Sequence, residues 1–409
     1  MIPTGFGLCR YIALQNIVAG IQKTGIPFVK YDGTRFIPLA FDEDLGLFVI
    51  IPKMVLSFGL SIDQAIIYFN DLTSLVTAAL SMVGFFLVFK TPMTRIVAIL
   101  SVLYATHVSC MTYDIYRFPA ALTVAFVPWA LYFFSKKSDA SWSTWLFVFS
   151  SGFLFGVSHC LRAYSFLPAL CFAVPLVLRS SHATRLQKVS YAALMGLGFL
   201  LPALYLRHSI MSYQEFAKKT FPQYSWDTIH PHPFWHTAYW GLGYIQNAYG
   251  FKTEDKTSLD KVRSLNPSLF LAEPPPGFPE VQYDDRYEGT LRSAFFDFVW
   301  RHPHYVLENY FAKLGTSMVY ILRYAHVGLI AYALVGLPFD ITFAFVLAGG
   351  CALLPGLIAL PSVAAYMLTL IVLCILFAAL SINQLLLSQD KIRFKRFFSW
   401  NRSTQTPSS

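Results

Sequence analysis

The stretch ALPSVAAYMLTLIVLCILFAALSINQLL, residues 359–386, carries no charged side chain and no sustained alternation of apolar with polar residues. As a helix rising 1.5 Å per residue it outreaches the hydrocarbon core of a bilayer, which is about 30 Å thick. Runs of the same kind recur at roughly 70–89, 96–112, 117–135, 143–159, 164–178 and 189–206, and again at 311–334 and 338–355. In lipid every backbone amide must find its partner inside the protein, so spanning segments are helices or closed barrels. Long apolar runs without period-two alternation exclude the barrel. The expected fold is an all-α polytopic membrane protein with about nine transmembrane helices and one large extracytoplasmic loop.

Composition agrees. The 409-residue chain is 56% hydrophobic and only 13% charged, against about 25% charged in an average soluble protein. Its net charge is +9. The basic residues gather in short clusters at the ends of apolar runs, which sets orientation and argues against a nucleic-acid partner. Lys90 and Arg95 flank one short loop, Lys136 and Lys137 the next but one, and Arg179, Arg185 and Lys188 lie two further on. The tail adds Lys391, Arg393, Lys395, Arg396 and Arg402. Basic loops stay in the cytoplasm, so the C-terminus of this multi-pass protein is expected there. The six cysteines are scattered, mostly in apolar runs and without a CxxC pair. They read as small core residues rather than a disulfide framework.

The chain then divides into five parts. Residues 1–68 form an acidic extracytoplasmic loop with an interfacial helix, and 69–206 carry about six spans. Residues 207–308 are an aromatic-rich extracytoplasmic loop, 309–389 carry about three further spans, and 390–409 are the basic tail. The segment LGLFVIIPKMVLSFGLS, residues 45–61, is short for a span and is interrupted by Pro52-Lys53. It is expected to lie at the interface, with the acidic residues before it outside. Arg323 falls inside an apolar run. There an arginine is expected to face protein or water, or the helix to lie at the interface.

Candidate chemistry gathers on the outer side. YDGTRFIPLAFDEDLGLFVIIP, residues 31–52, carries Asp32, Asp42, Glu43 and Asp44. Carboxylates this close at the mouth of a membrane cavity can serve as a general base or bind a divalent cation, or simply solvate the loop. The metal requirement is open. Two outward turns carry arginine: Asp114 and Arg117 in one, His159 and Arg162 in the other. Arginines at span ends commonly snorkel to the interface. Combined with acidic residues at one face they suit a lipid phosphate, which guanidinium grips with two hydrogen bonds.

The order of an acidic outer loop, an interfacial helix ending FGLS, a run of spans, a large outer loop and more spans resembles the GT-C superfamily of polytopic glycosyltransferases. GLFVIIPKMVLSFGLSIDQAIIYFNDLTSLV is similar to the segment that follows the acidic loop in that superfamily. HPFWHTAYWGLGYIQNAYGF and RHPHYVLENYFAKLG look like the outer loop of an uncharacterised bacterial membrane family with that layout. The resemblance covers most of the chain as apolar spacing. It implies a sugar donor on polyprenyl phosphate and an acceptor in membrane lipid or glycan. It also implies a catalytic base at Asp42 or Asp44, with Asp32 behind them, and donor phosphate at Arg117 and Arg162. One departure stands out: residues 5–22 carry Arg10, Gln15, Asn16 and Gln22 where the superfamily has a first span.

HPHPFWHTAYWGLGYIQNAYG, residues 230–250, is the most aromatic part of the outer loop. His232 and His236 are four apart, but Pro231 and Pro233 oppose a helix through them, and two imidazoles without a third ligand are a weak zinc signal. Gln246 stands where a dinucleotide fingerprint needs glycine. The stretch fits an aromatic belt or a saccharide platform, with Trp235 and His236 as substrate contacts beside His159. Its length suits a lid over the cavity rather than a domain with its own core. Two rival readings stay open: a transporter or flippase for a lipid-linked or amphipathic solute, and a non-catalytic scaffold of GT-C layout. The oligomeric state is open as well.

Overall fold

The computed structural model describes residues 8–39, 45–110, 117–136, 141–180, 183–222, 234–270, 281 and 283–403. Among them are fourteen α-helices and a single two-stranded hairpin. Seven helices are long and apolar enough to cross a membrane, and the chain is an all-α, multi-pass membrane protein. They are α3 (Ile62–Val88), α5 (Arg117–Leu131, continued by a π-helical turn at Tyr132–Lys136), α6 (Trp142–Leu161), α8 (Arg185–Thr220), α12 (Pro303–Val335), α13 (Phe339–Ile358) and the first part of α14 (Ala364–Ser403). The short α4 (Pro92–Ser109) packs on α3 and α14, and α7 (Leu167–Arg179) packs on α13.

Burial sorts these helices. α5 and the apolar part of α14 are the centre of the bundle, while α8 and α12 leave most of their surface outside. Leu197, Leu200, Leu201 and Leu204 lie exposed on α8. Such a surface suits lipid, which solvates leucine as well as a protein core does.

Without a hydrophobic drive between helices in lipid, close packing of small residues does the joining. α6 brings Gly152 and Gly156 against α8, where a Cβ at Gly152 would strike the Met195 carbonyl oxygen and one at Gly156 the Phe199 carbonyl oxygen. Gly198 of α8 approaches the Phe149 backbone in return. α3 presents Asn70, Ser74, Thr77 and Ser81 as a buried small-polar stripe, and Ser81 Oγ donates to the Val124 carbonyl of α5 at 2.9 Å. Capping boxes fix the starts of α3 (Ser61 with Gln64), α4 (Thr91 with Thr94) and α8 (Thr184 with Gln187).

Two small lobes sit at one end of the bundle. The first contains α1 (Leu8–Thr24), the hairpin β1 (Lys30–Tyr31) and β2 (Phe36–Ile37), and α2 (Leu45–Phe58). Leu14, Ile17, Phe28, Phe48 and Ile51 share a core there with Leu161, Tyr213 and Ala217. α2 has 14 residues, about 21 Å at helical rise, and is not among the seven long apolar helices. Its N-terminal half is buried while Phe58 is exposed, and Gly46 packs directly on the Cys160 backbone.

The second lobe, the cap, contains α9 (Phe234–Trp240), a 3₁₀ turn at Gly241–Tyr244, α10 (Asp255–Leu265) and α11 (Asp285–Arg301). Two sequence expectations change here. Helix α8 runs on to Thr220, well past 206, so the long connection after it begins later than expected. The cap also has an apolar core of its own, with Tyr239, Leu242, Phe251, Val262, Tyr287, Leu291 and Phe295 packed together. Its aromatic residues are spaced too irregularly along the sequence to announce that core, which only the folding back of α11 assembles. Arg323 does not face the protein interior: it is exposed on α12, with its guanidinium 5.5 Å from the Tyr324 ring.

Candidate functional site

The tight connection between α6 and α7 builds the site. Tyr164 takes φ +62°, a left-handed conformation uncommon for an aromatic residue. Neighbours hold it there: His159 Nδ1 accepts the Tyr164 amide at 3.2 Å, and Ser165 Oγ donates to the Ser158 carbonyl at 2.8 Å. The turn presents Arg162, the residue that closes α6, into a cavity of about 480 Å³. Phe234 and Thr237 of the cap roof this cavity, Cys351 and Pro355 of α13 form one wall, and Tyr366 of α14 another.

Arg162 is only 8% exposed. Burial pulls its guanidinium down to about 9, opposed by Tyr366 and reinforced by Arg10. A guanidinium in that range still carries its charge at neutral pH. The result is a buried cation, with a second arginine near it, on the wall of a largely apolar chamber at the capped end.

The other expected residues fall differently. Arg117 is buried, but it ties helices together: Nε donates to Ser74 Oγ at 2.9 Å, and a terminal nitrogen lies 3.4 Å from Asp71 Oδ1. It joins α5 to α3, with its neighbour Pro119 lining the cavity. His159 supports the turn from behind, its ring 5.4 Å from that of Phe199. Asp32 closes its own hairpin: Oδ1 accepts the Thr34 and Arg35 amides, both at 2.9 Å. The backbone bonds from Arg35 and then Thr34 hold this exposed carboxyl down at about 2, which makes it a poor proton acceptor. Asp42 and Asp44, like Glu43, Asp114 and His232, lie outside the described residues.

Trp235 and His236 belong to the cap interior rather than the cavity wall. Glu288 of α11 accepts the Trp235 amide at 2.8 Å and the His236 amide at 3.2 Å, and so caps the start of α9. Burial pushes the Glu288 carboxyl up, against those bonds. His236 Nδ1 lies 2.6 Å from the Tyr287 hydroxyl and Nε2 lies 3.1 Å from Asp255 Oδ1. A neutral ring satisfies both by accepting from tyrosine and donating to aspartate. The bond from His236 holds Asp255 below its ordinary range.

The cap is seated by α12. Tyr305 and Asn309 both donate to the Leu242 carbonyl, and Tyr244 Oη lies 2.6 Å from Thr316 Oγ1. Buried Lys313 donates to the Leu357 carbonyl at 2.9 Å and the Ile358 carbonyl at 3.2 Å, at the C-terminal end of α13. Gly241 fits against the same Ile358 carbonyl, where a Cβ would collide. Seat and cavity wall therefore meet at Ile358.

A second crevice, about 450 Å³, runs between α7 and α8 and is lined by Phe155, Leu170, Val174, Met195 and Phe199, with Lys188 at its far end. Among the described residues no group of three or more His, Cys, Asp or Glu side chains is placed to hold a metal ion. Sequence reasoning missed Arg10, Thr237 and Tyr366. Arg10 was visible only as polarity in a helix too polar to span, and the other two carry no local signal.

Comparison with known proteins returns no match: no family model, no curated protein and no solved structure matches this chain. The fold and site together define a multi-pass helical membrane protein with a capped, arginine-lined cavity at one face.

Proposed function

We propose that this protein is a membrane glycosyltransferase of GT-C layout, transferring a sugar from a polyprenyl-phosphate donor to a lipid or glycan acceptor at the capped face. The observation that carries this reading is the buried Arg162 guanidinium on the wall of the roofed cavity, with Arg10 close by. An apolar chamber with cationic charge at one end suits a ligand with a phosphate head and a hydrocarbon body. Reading α4 and the 13-residue α7, which packs along α13, as passages beside the seven long helices gives nine, and the basic residues Lys90, Arg179, Arg185 and Lys188 then fall at the end away from the cap. Basic residues favour the cytoplasmic side, which supports a cap outside and a C-terminus in the cytoplasm; with the GT-C resemblance, the membrane of this reading is a bacterial inner membrane.

In this mechanism the acceptor oxygen attacks the anomeric carbon as the bond from that carbon to the phosphate oxygen breaks. A carboxylate at Asp42 or Asp44 takes the acceptor proton. Arg162 and Arg10 hold the phosphate and stabilise its charge as it leaves. α2 begins at Leu45, just after those aspartates, and its second residue packs on Cys160, two positions from Arg162.

The test follows sugar transfer from polyprenyl-phosphate donors in membranes. Asp42→Asn with Asp44→Asn should lower kcat by about 10²–10⁴-fold. Arg162→Lys should raise KM more than it lowers kcat, because lysine keeps the charge and loses the two-point grip. Full transfer by the double asparagine variant would reduce those carboxylates to a solvated loop.

A further inference from the structure

Two thiols meet beside the cavity. Cys171 of α7 and Cys351 of α13 are 180 residues apart in sequence, yet their sulfurs lie 3.2 Å apart. Both are half-buried free thiols, and Cys351 lines the cavity. The helices that carry them pack along each other, and the edge-to-face contact of Phe172 with Phe345, ring centres 5.0 Å apart, holds their register. Cys171 is four residues from the start of α7 and Cys351 seven from the end of α13. At helical rise both lie within about 6–11 Å of the capped ends of their helices. A disulfide needs its sulfurs at about 2.05 Å, about 1 Å closer than the 3.2 Å at which they stand.

We propose that Cys171 and Cys351 form a redox-sensitive pair, oxidised to an intramolecular disulfide by a small disulfide that enters through the cavity. The thiolate of Cys351 attacks one sulfur of the reagent, a mixed disulfide forms, and the first reagent thiol leaves with a proton. Cys171 then attacks the Cys351 sulfur, the protein disulfide forms, and the second reagent thiol leaves with the other proton. Two electrons and two protons pass from the protein to the reagent, which ends as two thiols. The bond would fasten α7 to α13 beside the turn that presents Arg162, and so fix the shape of the cavity wall. This inference stands on the fold alone and does not depend on the reaction proposed above.

Full-length protein in membranes is treated with 4,4′-dithiodipyridine, alkylated under denaturing conditions, digested with pepsin and analysed by mass spectrometry. A disulfide-linked peptide pair joining Cys171 to Cys351 is the expected product, and dithiothreitol should abolish it. In Cys171→Ser, Cys351 should instead retain one pyridine-thiol adduct, because the resolving thiol is gone. Free alkylated thiols at both positions in the treated wild type would overturn the proposal. So would stable separate adducts on both cysteines, since a pair in contact resolves faster than it accumulates two caps. Thermal melting of Cys171→Ser before treatment checks that the serine variant is folded.

Discussion

At the scale of single residues, position relative to the cap decides what a charge does. Arg117 and Arg162 both stand at the ends of apolar helices, and both are almost wholly buried. One is bonded to Ser74 and Asp71 and holds α3 to α5; the other faces the chamber. Lys313 is a third buried cation, and its two carbonyl partners at the end of α13 identify it as a fastener between the membrane helices and the cap. Its ammonium also offsets the negative end of that helix. Lys313→Met should leave those carbonyls without their donor in a buried place and cost about 1–3 kcal/mol. A lower unfolding midpoint in detergent, with early loss of protection in residues 234–301, is the expected result. An unchanged midpoint and unchanged hydrogen exchange would mean that the seat rests on Tyr305 and Asn309 instead.

At the scale of elements, the joint between α6 and α8 rests on glycine. Gly152 admits the Met195 carbonyl where any side chain would collide, whereas Gly196, one residue further along α8, has nothing within 4 Å of its missing Cβ. Gly152→Leu should therefore force the helices apart and destabilise the protein by at least the 1–3 kcal/mol that overpacking typically costs. Gly196→Ala should be neutral or stabilising by about 0.4–1 kcal/mol, through the smaller freedom of its unfolded chain. Thermal scans of the two variants side by side decide this, and equal losses would show that the close approach does not govern stability. The joint matters to the site because α6 carries His159 and Arg162 at its capped end.

At the scale of the whole molecule, both lobes lie at one end of the bundle. Single cysteines at Thr253 in the cap and Thr34 in the hairpin should label with an impermeant thiol reagent in intact cells, and one at Ser399 should label only after permeabilisation. Ser258 is a poor probe, because it is fully buried with its hydroxyl on the His236 carbonyl. Labelling at Thr34 from the opposite side to Thr253 would separate the acidic stretch from the cap and dissolve the proposed site.

The sequence by itself determined that this chain is helical and membrane-bound. An apolar run in lipid can satisfy its backbone only by coiling, and most of 359–386 does so in α14; only its first five residues, around Pro361, form the turn from α13. It also set 45–61 apart as short for a span, and the helix found there has 14 residues. The candidate site was legible only in part: Arg162 was named, but so were Trp235 and His236, which turned inward to the cap core. A helix turns about 100° per residue, and which face meets a partner depends on packing that no single run records. Only the tertiary structure decided that Arg162 faces the cavity while Arg117 faces Asp71, that Cys351 meets Cys171, and that Phe234 and Thr237 close the roof. Each of these pairs elements far apart in the chain, brought together by glycine-sized contacts and buried hydrogen bonds rather than by any local pattern.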